Sequence, residues 1–409
     1  MDCVAAGVIA FDRAGPGLSD SMNTASMADE AARALWARDA KTAAGLYQAL
    51  TQRDPQTASH WLNLAIAQGQ LGDRDAERAA LDEALALEPR LLLALLLKGA
   101  NLADRGDGHG ANDSYQAALA VAPPFERLPP DLRPLIRRAH AHVGRFLAAR
   151  EQLLRERMAE AYRDLAGAKT ERFDQALDVL VGRKSIYRQQ PHSFYFPGLP
   201  ETQFYDREAF PWLGEIERNT DVIRAEFEAV WREDHGFVPY IEHPRGAPVD
   251  QWAELNHSPR WSVFHLIRNS AEAPENAARC PKTFDLVRSA PGPALVNRSP
   301  NAMFSLLKPR TRIPPHTGDT NVRLVVHIPL IVPEQTGFRV GNDTRPWRVG
   351  EALIFNDTIE HEAWNDSDQL RVVLIFDIWH PDLSPDERAL VGRLLAAQDE
   401  FRASGAPGL

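Results

Sequence analysis

Apolar positions along residues 24–123 recur at helical spacing, and the helices themselves recur with a longer period. Pro55, Pro89 and Pro123 stand 34 apart (89−55 and 123−89); so do Tyr47, Leu81 and Tyr115, and Gly72 and Gly106. The segment WLNLAIAQGQLGDRDAERAALDEALALEP predicts a helix, a tight turn at Gly72-Asp73, a second helix and a proline stop. Small residues at the repeat positions (Ala65, Gly99, Ala84, Ala118) let neighbouring helices approach closely, and large ones fill the gaps between repeats. The proline-dense stretch PPFERLPPDLRP (123–134) marks a break, after which helical patterning with charged outward positions resumes over about 136–182. From about 185 the texture changes. Aromatic and proline residues concentrate in PHSFYFPGLPETQFYDREAFPW, and one helix candidate follows at about 212–233. Then come short β-type runs (AMFSLLKPR, NVRLVVHIPLIVP, TGFRVGN, GEALIFND, LRVVLIFDIW) between Gly, Asn, Asp and Pro turns, the pattern of a sandwich or barrel.

Two of those strands carry charge where alternation predicts an interior. Leu324, Val326, Ile328 and Leu330 share one face of the first, with Arg323, Val325 and His327 on the other. In the last strand Val372, Leu374, Phe376 and Ile378 lie opposite Arg371, Val373, Ile375 and Asp377. An Arg or His on an otherwise apolar strand is costly unless a partner meets it. A small dianion inside a barrel is such a partner, and the planar fork of Arg371 suits a carboxylate; the alternative is an end-of-strand arginine reaching solvent or pairing with Asp377. His316 and His361, 45 residues apart (361−316), each read as lying in a turn that flanks a strand. A pair of imidazoles at a barrel mouth with an arginine ten residues beyond the second (371−361) is what a non-haem iron oxygenase needs.

The N-terminal period resembles the tetratricopeptide repeat, with the first repeat degenerate. The runs HTGDTNVRLVVHIPL, LIFNDTIEHEAW and LRVVLIFDIWHP, with FYFPGLP, CPKTFDLV and FSLLKP upstream, resemble the aspartyl/asparaginyl β-hydroxylase family of cupin-like oxygenases. That resemblance implies a multidomain chain: all-α tetratricopeptide-type repeats, then a double-stranded β-helix (jelly-roll) domain with flanking helices. It implies Fe(II), 2-oxoglutarate as co-substrate and O₂. His316 and His361 match the metal ligands. Arg371 matches the arginine that pairs with the distal carboxylate of 2-oxoglutarate, and Ser305 and His327 match further positions around it. Most related oxygenases have Asp or Glu two residues after the first ligand; here that position is Gly318, as in the resembled family, and Asp319 is one position too far along. Some members carry an Arg where this chain has Val325, and Arg323, one pleat back on the same face, is the candidate substitute. By resemblance the substrate is the β-carbon of Asp or Asn in a protein or peptide, guided by the repeats. The alternatives are a small molecule, a lipid-linked acyl chain, or a non-catalytic repeat scaffold carrying a ligand-binding barrel.

These readings divide the chain into a loose leader (1–25), repeats (26–123), linker helices (124–184), the dioxygenase domain (185–390) and a C-terminal helix or tail (391–409). Bulk properties narrow the partners. A net charge of −10 argues against nucleic acid. No window of about 20 apolar residues supports a membrane span. Asp2 and the lack of a basic lead argue against a signal peptide. With only Cys3 and Cys280, neither a disulfide framework nor a Cys-x-x-Cys site is available, and a cytoplasmic location is expected.

Overall fold

The computed structural model describes residues 18–163, 165, 170–233 and 235–403. It divides into two compact units, Met1–Asp174 and Gln175–Leu409.

In the first unit, helix pairs follow one another: α1 (Leu18–Trp36) with α2 (Ala40–Arg53), α3 (Ala58–Leu71) with α4 (Arg74–Leu87), and α5 (Leu92–Asp104) with α6 (Gly108–Val121). The turns explain the period. Gly72 and Gly106 take φ of +79° and +83°, a left-handed conformation that glycine adopts without steric cost. Asp39, Asp73 and Asp107, also 34 apart, cap α2, α4 and α6 by accepting from the backbone N–H of Thr42, Ala76 and Gly110. Tyr47, Leu81 and Tyr115 are buried between helices. A Cβ on Gly99 would lie 2.6 Å from the Tyr115 ring, so the small residue is a condition of close approach.

Two boundaries differ from expectation. Helix α1 starts inside the stretch expected to be a loose leader, of which residues 1–17 lie outside the described residues. The next helix, α7 (Leu132–Arg163), is not simply a linker: its Ile136 and Ala139 are buried in one cluster with Tyr115 and Leu128, so its first turns close the repeat core. Helix α8 (Glu171–Leu180) spans the division between the units.

The second unit contains, in order, β1 (Phe204–Tyr205), α9 (Leu213–Arg218), α10 (Thr220–Glu233), β2 (Val238–Pro239), β3 (Trp261–Arg268), β4 (Ala271–Glu272), α11 (Pro274–Arg279) and α12 (Pro281–Ser289). It continues with β5 (Ala302–Leu307), β6 (Thr311–His316), β7 (Arg323–Ile331), β8 (Thr336–Val340), β9 (Asp343–Arg345), β10 (Leu353–Phe355), β11 (His361–Asn365), β12 (Arg371–Trp379) and α13 (Pro385–Ala403). The larger sheet runs β1-β10-β7-β12-β5-β3-β2 with β4 on β3; the smaller runs β6-β11-β8-β9. From β5 to β12 the chain passes back and forth between the sheets, which is the winding of a double-stranded β-helix.

Alternation sorts the side chains as predicted. Leu324, Val326, Ile328, Val372, Leu374 and Phe376 pack outward with Ile223 and Phe227 of α10. Val325 and Val373 pack inward with Phe338, Trp347 and Phe355. Fully burying each such apolar side chain stabilises by roughly 1.5–3 kcal/mol, which fixes strand register, because a one-residue slip would exchange the two faces.

Candidate metal and co-substrate site

His316 ends β6 and His361 begins β11, and the two are direct partners in the antiparallel register. Both therefore belong to strands rather than to flanking turns. Pro314 and Pro315 are tolerated because β6 is an edge strand of the smaller sheet. The two rings lie 4.1 Å apart between centroids. His316 Nδ1 is 2.8 Å from the Pro314 carbonyl, and His361 Nδ1 is 3.0 Å from that of Ile359. A carbonyl only accepts, so each Nδ1 carries the proton and each Nε2 keeps its lone pair, the tautomer a metal ligand requires. Burial lowers the pKa of both, that of His361 well below the ordinary value, which keeps the imidazoles neutral. Trp252 stands edge-on to His316 at 5.2 Å, and Tyr240 stacks on Trp261 at 4.1 Å, so this end of the cavity has an aromatic wall.

The cavity, about 430 Å³, is lined by all six residues singled out in the sequence: Ser305, His316, Arg323, His327, His361 and Arg371. At its deep end Arg371 is only 2% exposed. It neither reaches solvent nor pairs with Asp377, and its Nε and Nη1 have no hydrogen-bond partner. Burial with no compensating carboxylate pushes the guanidinium down to about 10. A buried, unpaired cation is strongly destabilising, so this pocket is built for an anion. Around it, Trp347 lies 5.5 Å from the Arg371 guanidinium and stacks on His327. Burial, with the Arg371 charge adding to it, holds His327 well below the usual range, and its Nδ1 is also unpartnered. Ser305 Oγ accepts from Trp261 Nε1 at 3.1 Å, leaving its own proton free to donate into the cavity.

Arg323 does not follow expectation. Its Nη2 and Nη1 each bond at 2.9 Å, to Asp357 and Asp377 respectively. Burial opposes its charge, but the two carboxylates hold its pKa above the ordinary value. A guanidinium held on both sides in this way is not free to bind 2-oxoglutarate, and Arg323 is corrected here from a co-substrate contact to the centre of a buried ion network. Asp377 also accepts from Ser299 Oγ and from the backbone and side chain of Asn301.

Asp357 is the residue that sequence reasoning missed. A Cβ on Gly318 would lie 2.0 Å from Asp357 Oδ2, so this carboxylate occupies the space that a side chain two after His316 would fill. Burial pushes its carboxyl up to about 6, partly offset by Arg323 and reinforced by Asp377 and Asp319. Its Oδ1 is buried without a partner. The only signal in the sequence was an Asp in the turn before His361, in a context where turn chemistry is the ordinary explanation. Among the described residues, no group of three or more His, Cys, Asp or Glu side chains is arranged to hold a metal ion; the donors facing each other here are a pair. Trp379 and His380, which lie in the matching motifs, are explained by packing: His380 is fully buried and bonds Tyr205 Oη through Nε2.

The second unit is thus a double-stranded β-helix with two imidazoles of free Nε2 in one cavity with a buried guanidinium whose Nε and Nη1 are unpartnered. Residues 217–381 match the family described as Aspartyl/Asparaginyl beta-hydroxylase. An ornithine lipid ester-linked acyl 2-hydroxylase from Rhizobium tropici is 36% identical over 44% of this chain and 62% of its own length. The human aspartyl/asparaginyl beta-hydroxylase is 36% identical over 42% of this chain and 22% of its own length. Human aspartate beta-hydroxylase domain-containing protein 2 is 32% identical over 53% and 57% respectively. The chain therefore spans between about a fifth and three fifths of these relatives. The matched segment is similar in sequence to these hydroxylases. For the repeats, the Yersinia enterocolitica type III secretion translocator chaperone SycD aligns over 32% of this chain and 88% of its own, at 14% identity and a TM-score of 0.29.

Proposed function

We propose that the second unit is an Fe(II)- and 2-oxoglutarate-dependent dioxygenase that hydroxylates the β-carbon of an aspartyl or asparaginyl residue in a protein or peptide, in the cytoplasm. The observation that carries this reading is Arg371, a buried guanidinium with two unmet N–H groups in the same cavity as a histidine pair. The donor set fits the cofactors. Nε2 of His316 and of His361 hold the iron. Arg371 takes the far carboxylate of 2-oxoglutarate, with Ser305 Oγ and His327 beside it. Iron with 2-oxoglutarate and O₂ supplies the oxidant for an unactivated C–H bond, with release of succinate and CO₂. The chain's own contribution is orientation and dryness. The Pro314 and Ile359 carbonyls fix the imidazole tautomers, and Trp347, Phe338 and Phe355 close the inner wall against water. With two protein ligands, these supports carry more of the positioning than in a three-ligand site.

The test is the Michaelis constant for 2-oxoglutarate. Arg371→Gln leaves a buried carboxylate uncompensated, a loss of roughly 3 kcal/mol or more, so KM rises by about 100-fold. An unchanged KM would remove the co-substrate from this pocket. One observation favours a second reading: the Rhizobium tropici relative, by its name, acts on an ester-linked acyl chain. Product mass on peptide against ornithine lipid decides between the two. The repeat unit is proposed to bind the protein substrate, so that only a peptide reaction depends on it.

A further inference from the structure

The cavity has a second cationic end, far from Arg371, and what it binds depends on the peptide reading, on which this inference rests. Along the inner face of β5 the lining side chains step from Ser305 to Met303 and on to Asn301, roughly 13 Å at the usual rise of a strand. At that far end stand Arg268, the last residue of β3, and Arg298. Their segments are tied together. Asn269 and Ser270 take φ of +52° and +68°, a tight turn between β3 and β4. That turn is docked on residues 297–301. Asn269 N–H donates to Asn301 Oδ1 at 2.8 Å, Ser270 N–H to the Pro300 carbonyl at 2.9 Å, and Asn297 N–H to Ser270 Oγ at 3.1 Å. Asn301 Nδ2 in turn donates to the Arg298 carbonyl at 3.0 Å. Two arginines thus reach one end of the cavity from a single hydrogen-bonded frame.

Their charges are not balanced. Arg298 Nη2 bonds Asp399 at 2.5 Å and Gln398 at 3.3 Å, but its Nε is buried with no acceptor. Arg268 is exposed and forms no ion pair among the described residues. Of the acids that line the cavity, Asp377 is taken up by Arg323, Ser299 and Asn301, while Asp319 and Asp357 lie beside His316 and His361 in the chain. Two guanidinium groups therefore share one carboxylate, that of Asp399, which leaves a positive charge in excess. His265, also on β3, lines the same end with its Nδ1 buried and unpartnered. A buried N–H without an acceptor is costly, and a carboxylate meets it with charge as well as with a lone pair. We infer that Arg268 and Arg298 form a second anion subsite, which takes an acidic side chain of the peptide substrate. At about 3.3–3.6 Å per extended residue, that acid lies within about four positions of the reacting one. The reacting residue itself stays at the histidine pair, and the subsite selects which Asp or Asn is brought there.

The test uses the full chain with Fe(II) and 2-oxoglutarate and three pools of degenerate peptides, each with Asp and Asn in equal amounts at the centre. The four positions on either side hold no charged residue in the first pool, one Glu in the second and one Lys in the third. The gain of one oxygen is read by mass spectrometry at limiting peptide. The Glu pool is expected to react with a kcat/KM about tenfold above the uncharged pool, and the Lys pool below it. In Arg298→Gln and in Arg268→Gln the Glu advantage shrinks to within about threefold, through a higher KM. In Arg268→Glu the order turns over, with Lys ahead of Glu, a reversal that general damage to the fold does not produce. Because Arg268 is exposed, that variant decides the matter if Arg298→Gln does not fold. Equal reaction of the Glu and uncharged pools, or a Glu advantage that all three variants keep, overturns the inference and leaves the peptide reading standing. Succinate formation without product in any pool overturns the peptide reading, and the inference with it.

Discussion

Gly318 and Asp357 share a space that holds one side chain. The carboxylate is pinned by Arg323 and buried, so it does not swing away when a methyl group is added at 318. Gly318→Ala should therefore destabilise the protein by about 1–3 kcal/mol, read as a lower thermal midpoint. Combined with Asp357→Ala, the same change should cost less than the sum of the two single variants. Full additivity would mean that the two residues do not compete. This pair also marks the limit of residue-scale reading from the sequence. His327 and Arg371 were legible because strand alternation puts polar groups on an inward face, where they need a reason; His316 and His361 were read in turns, and Ser305 came only from the family resemblance. Asp357 was not legible, because an Asp in a turn has an ordinary explanation until its neighbour across space is known. Arg323 misled for a related reason: its inward placement was right, but its partners are 34 and 54 residues distant (357−323 and 377−323).

Among the elements, the repeat helices were the most legible, since their signals are local: a period of 34, glycines at turns, and small residues at contacts. The capping aspartates share that period and act independently. Asp39→Ala, Asp73→Ala and Asp107→Ala should each cost about 1 kcal/mol in denaturant unfolding. A negligible loss at all three would show that the caps do not hold the helix starts. Strand edges were less legible. The sequence runs predicted β5, β7, β8, β10 and β12, yet β3, β6 and β11 escaped notice. β6 holds two prolines, and β11, HEAWN, carries Glu and Asn, residues depleted in strands, so neither looks like a strand in isolation. Their pairing is set by tertiary register, and that register brings His316 opposite His361.

Across the molecule, the order of helical repeats followed by a sandwich or barrel was readable from the change of period, and the double-stranded β-helix came from the family resemblance. The start of α1 and the packing of α7 on α5 and α6 were not readable, because both depend on what a helix meets. The unmet charge of Arg371 has a consequence at this scale. An anion that binds there stabilises the folded second unit by mass action, about 2.7 kcal/mol at a hundred times Kd. With an inert divalent metal present, saturating 2-oxoglutarate should raise the thermal midpoint of one transition. The shift should vanish in Arg371→Gln; a shift that survives that substitution would place the anion elsewhere.

The central claim is that the paired imidazoles and Arg371 form one working site. Anaerobic reconstitution with Fe(II), followed by succinate formation from 2-oxoglutarate and O₂, tests it most directly. The account predicts one iron per wild-type chain, succinate on admission of O₂, and iron affinity weakened about tenfold or more in both His316→Ala and His361→Ala. A wild-type protein that takes up no iron and forms no succinate, or variants that bind iron as tightly as wild type, would contradict it.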